Sequence, residues 1–137
     1  MVEHLAGLDG WLSGAWFKLV RELRVEGRTW MVHLLVDVQE DRALTSERPV
    51  RFEATIRFLP PQDVSRSTER VLAKRGFYDR VSRKAAAMGY YGEWARAPGF
   101  GMWASFTKRI KSTRQLLAEV RRMDRLDVAA FASSGER

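Results

Sequence analysis

Residues 50–59, VRFEATIRFL, alternate apolar and polar side chains without a break up to Phe58. The apolar positions are Phe52, Ala54, Ile56 and Phe58, and charged or polar residues stand between them. Because successive side chains of a strand point to opposite faces, this stretch predicts a strand with one buried face and one solvated face. Pro60 ends it, since proline cannot donate a hydrogen bond to a neighbouring strand.

Two more apolar runs lie on the N-terminal side, at residues 16–25 and 29–38. Glu26 and Gly27 stand between them, and a two-residue turn that contains glycine predicts a β-hairpin. A helix over 11–23 is the alternative, because the apolar residues there also fit a period of 3.6. We favour the hairpin.

Helical patterns begin on the C-terminal side of residue 62. Asp63 or Ser65 can cap a helix that runs to about residue 74. Residues 77–88 suit either a second helix or a strand followed by a turn. Residues 89–101 hold four glycines and a proline, which predicts a loop or a broken strand.

The last strand is predicted at residues 101–110, GMWASFTKRI. Ser112 and Gln115 have the spacing of a capping box, which starts a helix. The sequence therefore predicts an α+β fold. We expect an antiparallel sheet of about four strands packed by helices, with a long C-terminal helix at about 112–132.

The chain of 137 residues has the length of one domain, which we expect to cover residues 1–132 and to leave 133–137 as a frayed tail. It contains no cysteine, which excludes disulfides and thiolate metal sites and favours the cytoplasm. We recognise no membrane span and no signal peptide, and expect no membrane partner.

Charge divides the chain into two unequal parts. Residues 1–65 hold eight basic and ten acidic residues, whereas the residues from Arg66 onward hold sixteen basic and seven acidic ones. A local excess of this kind indicates a polyanionic partner, and nucleic acid is the first candidate. An ordinary solvated basic surface is the alternative.

The most distinctive segment is residues 90–106, which contain six aromatic residues interleaved with glycine and proline. Exposed rings beside basic side chains suit single-stranded nucleic acid, because every base has a face to stack and every linkage has a phosphate. The predicted binding residues are Tyr90, Tyr91, Trp94, Arg96, Phe100 and Trp103, together with Arg80, Arg83, Lys84, Lys108, Arg109 and Lys111.

A packing alternative exists for the same segment, in which Trp94, Trp103 and Phe106 belong to the core and the glycines permit close packing. If 101–110 is a strand, Trp103 and Phe106 point to opposite faces. Helices would cover one of those faces, so the aromatic residue on the other face is the better candidate for ligand contact.

An enzymatic function is not expected. His4 and His33 are the only histidines, and no nucleophile, phosphate-loop or dinucleotide motif appears. The acidic residues at 37–47 are typical of a solvated turn. We therefore predict no catalytic residues, no metal and no cofactor.

The clustered aromatic residues at 90–106, their basic flanks and the helical C-terminus resemble the ThermoDBP-related single-stranded-DNA-binding proteins of hyperthermophilic archaea. The resemblance covers the whole chain in layout and composition, without an aligned motif. It implies an antiparallel sheet flanked by helices, an apolar cleft with basic edges that holds bases, and a C-terminal helical element that promotes oligomers. The high arginine content is compatible with a thermophilic source.

Sequence-tolerant binding of single-stranded DNA, with RNA as a further ligand, is thus the leading hypothesis. A protein–protein adaptor and a transcription factor associated with double-stranded DNA are the alternatives. A homo-oligomer formed through the C-terminal helix is a separate prediction, based on the apolar stripe from Leu116 to Leu126.

Overall fold

The structure is a computed structural model that describes residues 16–40, 50–97, 99 and 101–133. The predicted site residue Phe100 lies outside the described residues, as does the predicted frayed tail apart from Ser133. No helix in the described part of the chain is both long and apolar enough to cross a membrane.

Five strands of the described residues form one antiparallel sheet in the order β1-β2-β3-β5-β4. They are β1 (Trp16–Val25), β2 (Arg28–Glu40), β3 (Val50–Leu59), β4 (Tyr91–Ala97) and β5 (Gly101–Ile110). The α+β class and the antiparallel sheet are therefore as predicted.

The turn between β1 and β2 confirms the hairpin and excludes the helix over 11–23 for its described part. Glu26 has φ 51° and Gly27 has φ 75°. Positive φ at both central residues is the signature of the type I′ turn, whose twist matches that of the two strands.

The count of four strands was wrong, because β4 is a regular strand within the segment expected to be a loop or a broken strand. Tyr91 lies opposite Thr107 and the pairing runs without interruption to Ala97 opposite Gly101. The backbone bonds to β5 stabilise an extended conformation that the irregular side-chain pattern of this segment does not reveal.

In the described part of the chain, four helices accompany the sheet. They are α1 (Arg66–Lys74), α2 (Phe77–Ala87), α3 (Thr113–Asp124) and α4 (Ala129–Ala132). Ser65 caps α1, since its hydroxyl accepts a hydrogen bond from the backbone of Thr68 at 3.1 Å. Ser112 caps α3 in the same way through Gln115, at 3.2 Å.

The predicted long C-terminal helix is two shorter helices. Arg125 ends α3 with φ −101° and ψ 2°. Two residues later the carboxylate of Asp127 accepts a hydrogen bond from the backbone of Ala129 at 3.1 Å. A side chain that accepts hydrogen bonds from nearby backbone N–H groups favours a turn over a continuous helix. The chain therefore turns between α3 and α4, and α4 is a separate helix.

The sheet has two unlike faces. On one, here called the core face, Trp30, Val32, Leu34 and Val36 of β2 and Phe52, Ala54, Ile56 and Phe58 of β3 are at most 5% exposed. Buried residues of the helices, among them Leu72, Val81, Val120 and Phe131, belong to the same cluster. The described helices therefore pack on the core face. Burial of each such large side chain stabilises the fold by roughly 1.5–3 kcal/mol.

The apolar stripe of the C-terminal helix belongs to this core. Leu116, Val120 and Met123 are fully buried within the chain itself, and Leu126 packs against the same core. The expected oligomer stays a prediction, but these side chains already have intramolecular partners.

Candidate nucleic-acid interface

The predicted binding residues do not form one surface, because the sheet separates them. Tyr91, Trp103 and Arg109 lie on the face that carries none of the described helices, here called the open face. The register places Tyr91 opposite Thr107 and Trp103 opposite Ala95. The other described candidates lie on the side of the helices or at the end of β5.

Tyr90 is fully buried and is not available to stack on a base. Its hydroxyl donates a hydrogen bond to the carboxylate of Glu119 in α3. Burial and this hydrogen bond raise the pKa of Tyr90 above its ordinary value of 10.0. Through this hydrogen bond Tyr90 links the start of β4 to α3.

Trp94 is partly buried and packs against the core, although its strand is at the edge of the sheet. Its ring packs against Tyr78 at a centroid distance of 4.7 Å and against Trp30 at 5.9 Å. Its indole N–H donates to the carbonyl of Tyr78 at 2.9 Å. The packing alternative is thus correct for Trp94, and also for the fully buried Phe106.

Arg96 is held by a buried carboxylate of α1. Glu69 forms an ion pair with Arg96 at 2.7 Å and accepts a hydrogen bond from the backbone of Met102 at 3.2 Å. Nearby, burial and then the charge of Glu69 raise the pKa of Tyr78 to about 12. These contacts join the β4–β5 hairpin to the helices, which is a structural role for Arg96.

Lys108 has a comparable role at α3. Its ammonium group lies 3.0 Å from Glu119, donates to the carbonyl of Met88 at 3.2 Å, and sits 5.5 Å from the centre of the Tyr90 ring. Removing a partner from a partly buried ion pair is costly. Lys108 is therefore committed to the fold, whereas its neighbour Arg109 is exposed on the open face.

The three basic residues of α2 line a groove of about 510 Å³ between α2 and the C-terminal segment. Arg80 donates hydrogen bonds to the carbonyls of Arg75 and Ala132, and so links α2 to the end of α4. Arg83 pairs with Asp79 at 2.9 Å, and both side chains are well exposed. This groove is on the opposite side of the sheet from Trp103 and Tyr91. Lys111 is exposed at the turn between β5 and α3.

Among the predicted rings that the structure describes, Trp103 and Tyr91 are the two that reach the open face. Tyr91 is 68% exposed, on the edge strand. Trp103 is half-buried and forms a wall of a groove of about 620 Å³ at the Pro60 end of the sheet. This groove, here called the Trp103 groove, is lined by Thr29, Met31, Arg57, Leu59, Pro60, Pro61, Gln62, Ala97 and Trp103.

Arg57 and His33 also lie on the open face, and neither was among the predicted site residues. They lie directly opposite each other on β3 and β2. Burial, followed by the positive charges of Lys18 and Arg57, lowers the pKa of His33 below its ordinary value of 6.5. The signal for Arg57 was present in the sequence, since it occupies a solvated position of the alternating stretch VRFEATIRFL.

The charges are distributed unevenly between the two sides. Within residues 66–87 and 113–133, which form the helical layer, there are eleven basic and five acidic residues. On the open face the described side chains balance: Lys18, Arg24, Arg57 and Arg109 against Glu22, Asp37, Glu53 and Glu93. None of these four carboxylates lines the Trp103 groove.

In the described part of the chain, no three histidine or acidic side chains are grouped so that they could hold a metal ion. No protein-family model, curated protein or solved structure matches the chain.

Proposed function

We propose that this protein binds single-stranded DNA, and RNA as a further ligand, on the open face of its sheet, without strict sequence preference and without catalysis. The observation that carries the proposal is the direction of two rings. Trp103 and Tyr91 lie on the open face, while Trp30, Trp94 and Tyr90 are committed to the core.

A sheet surface that carries aromatic side chains suits unpaired bases. Bases that are free of a duplex can lie flat on such rings, and each stacked base contributes on the order of 1–3 kcal/mol. Tyr91 and Trp103 are on adjacent antiparallel strands and four residue pairs apart along them, roughly 13 Å. One extended strand can therefore reach both rings with bases that are not neighbours in its sequence.

Basic residues of the same face provide phosphate contacts. Arg109 is exposed, and Lys18 and Arg57 are close enough to His33 to lower its pKa. The larger excess of basic residues lies in the helical layer and cannot touch a strand that is stacked on the open face. Its contribution is a long-range attraction, which speeds association and weakens with salt.

The experiment is a titration of the full chain with oligo-dT, followed by tryptophan fluorescence and by anisotropy of a labelled strand. Quenching should accompany binding, and log K should fall with log salt at a slope of roughly −0.7 per phosphate neutralised. Duplex DNA and RNA of matched sequence serve as competitors. Unchanged fluorescence and anisotropy at low salt would refute the proposal, and a preference for duplex would favour the transcription-factor alternative.

A protein–protein adaptor is the second candidate, and the Trp103 groove is the observation that favours it. Most of its walls are apolar, with Pro60, Pro61 and Met31 beside the indole. An extended peptide would bind there without any dependence on nucleic acid. Membership of the ThermoDBP-related family, an archaeal source, a cytoplasmic location and a homo-oligomer all remain predictions.

A further inference from the structure

We propose that the Trp103 groove is a pocket for one base of the bound strand, and that Arg57 gives this position a preference for guanine. The inference rests on the proposed function and adds a specific contact to binding that is otherwise sequence-tolerant.

The shape and lining of the groove fit a base better than a phosphate. Trp103 offers a flat indole, and Met31, Leu59 and Pro60 surround it with apolar surface. A base has an apolar face that gains from such contacts, whereas a phosphate does not. None of the described lining residues is a carboxylate, which is compatible with the negative charge of a nucleotide.

Among the described residues that line the groove, Arg57 is the only charged one. Its Nε–H is buried and has no hydrogen-bond partner among the described residues. Buried donors are normally paired, and an unpaired one is costly. The two residues directly opposite Arg57 in the sheet are His33 and Ser105, neither of which carries negative charge to compensate it.

A ligand that pairs with Arg57 must present acceptors, because a guanidinium group only donates. Guanine has two adjacent acceptors, O6 and N7, that match the arginine fork. On the corresponding edge adenine places a donor beside its acceptor, cytosine presents a donor, and thymine offers a single acceptor. Cytosine also has two adjacent acceptors, O2 and N3, on the Watson–Crick edge that a single strand exposes, so the dC strand is the most demanding comparison for a guanine preference. Thr29 and Gln62, also in the lining, can serve either as donors or as acceptors.

The test compares a labelled oligo-dT with the same strand carrying one central dG, dA or dC, by anisotropy with the full chain. We expect the dG strand to bind about fivefold more tightly or better, which is the lower end of what a bidentate arginine–guanine pair provides. Arg57→Gln should remove this preference. Arg109→Gln is the matched control on the same face, and it should weaken all four strands about equally because it contacts phosphate.

Equal binding of the four strands, or a dG preference that survives Arg57→Gln, would overturn the base pocket and leave the proposed function intact. Failure of every strand to bind would instead refute the proposed function. If Arg57→Gln does not fold, as judged by its thermal unfolding, Arg57→Lys replaces it. That variant keeps the charge and loses the fork, so only the dG preference should disappear. A proline-rich peptide that fills the groove while dG shows no advantage would also contradict the pocket.

Discussion

Tyr90 and Tyr91 are consecutive in the chain and have opposite environments. Tyr90 is fully buried and donates its hydroxyl hydrogen to Glu119, whereas Tyr91 is 68% exposed on the open face. Adjacent residues at the start of a strand point to opposite sides. One tyrosine of the pair therefore stabilises the fold, and the other is available to a ligand.

This relationship predicts different consequences for two equivalent substitutions. Tyr90→Phe should lower the free energy of unfolding by about 1.5–3 kcal/mol, because it removes a buried hydrogen bond to a charged group. Tyr91→Phe, the matched control, should change stability little, since its hydroxyl is solvated. Urea unfolding of both variants measures the difference, and equal stability of the two would contradict the buried hydrogen bond.

The open-face rings predict a loss of affinity without a loss of structure. Tyr91→Ala and Trp103→Ala should each weaken oligo-dT binding by about 1–3 kcal/mol, or roughly 5- to 150-fold. Val71→Ala removes an exposed apolar side chain from α1, on the other side of the sheet, and should leave affinity unchanged. Anisotropy titrations provide the comparison. If Val71→Ala weakens binding as much as the ring variants do, the ligand is not on the open face.

The lowered pKa of His33 predicts how stability depends on pH. In the unfolded chain His33 binds a proton at its ordinary pKa of 6.5, whereas in the folded protein it does so only at a lower pH. The free energy of unfolding should therefore decrease as the pH falls from about 7 through the folded pKa of His33. His33→Gln should reduce this decrease in urea unfolding at a series of pH values. If the wild-type protein instead becomes more stable than His33→Gln as the pH falls over that range, the pKa of His33 is not lowered in the folded protein.

Binding of a nucleic-acid strand should shift the pKa of His33 upward, opposite to the effect of folding. A phosphate on the open face favours the protonated imidazole and should raise the pKa of His33, as followed by NMR titration with and without oligo-dT. By linkage, affinity should increase at lower pH, and His33→Gln should weaken that increase. A His33 pKa that oligo-dT leaves unchanged would place the phosphates away from this residue.

Gly101 predicts a stability effect that local conformation alone does not explain. It has φ +93°, and an added Cβ would lie 2.6 Å from the carboxylate of Glu69. Gly101→Ala should cost about 2–4 kcal/mol, from the positive φ and from displacement of the carboxylate that holds Met102. Gly27→Ala, at φ +75° with open space around it, should cost only about 1–2 kcal/mol.

A double variant separates the two contributions at Gly101. In a Glu69→Ala background the carboxylate is absent, so Gly101→Ala should cost no more than Gly27→Ala does. Unfolding free energies from urea titrations complete the cycle. An undiminished cost in that background would show that Glu69 is not the obstacle.

Much of the fold could be predicted because the relevant patterns are local. The strand at Val50–Leu59, the turn at Glu26 and Gly27, and the cap Ser112 are found where the sequence placed them. Of the two candidate caps Asp63 and Ser65, the structure selects Ser65. The edge strand β4 was missed for a physical reason. Its extended form depends on hydrogen bonds to β5 rather than on its own side-chain pattern.

The candidate site was only partly predictable. The sequence identified Trp103 or Phe106 as the ring directed away from the helices, and the structure selects Trp103. It could not show that Arg96 and Lys108 are committed to Glu69 and Glu119, which are more than ten residues away along the chain. Such pairings depend on which helix covers which strand.

The sequence by itself determined the α+β class, the two faces of the central strands and the excess of positive charge after Arg66. Each of these depends on residue type and on spacing along the chain. Only the tertiary structure decided that most of the positive charge and the two open-face rings are on opposite sides of the sheet. It also placed Arg57 beside Trp103. The reason is that packing between segments that are distant in the chain decides which face each side chain occupies. The spacing of residues along the chain does not contain that information.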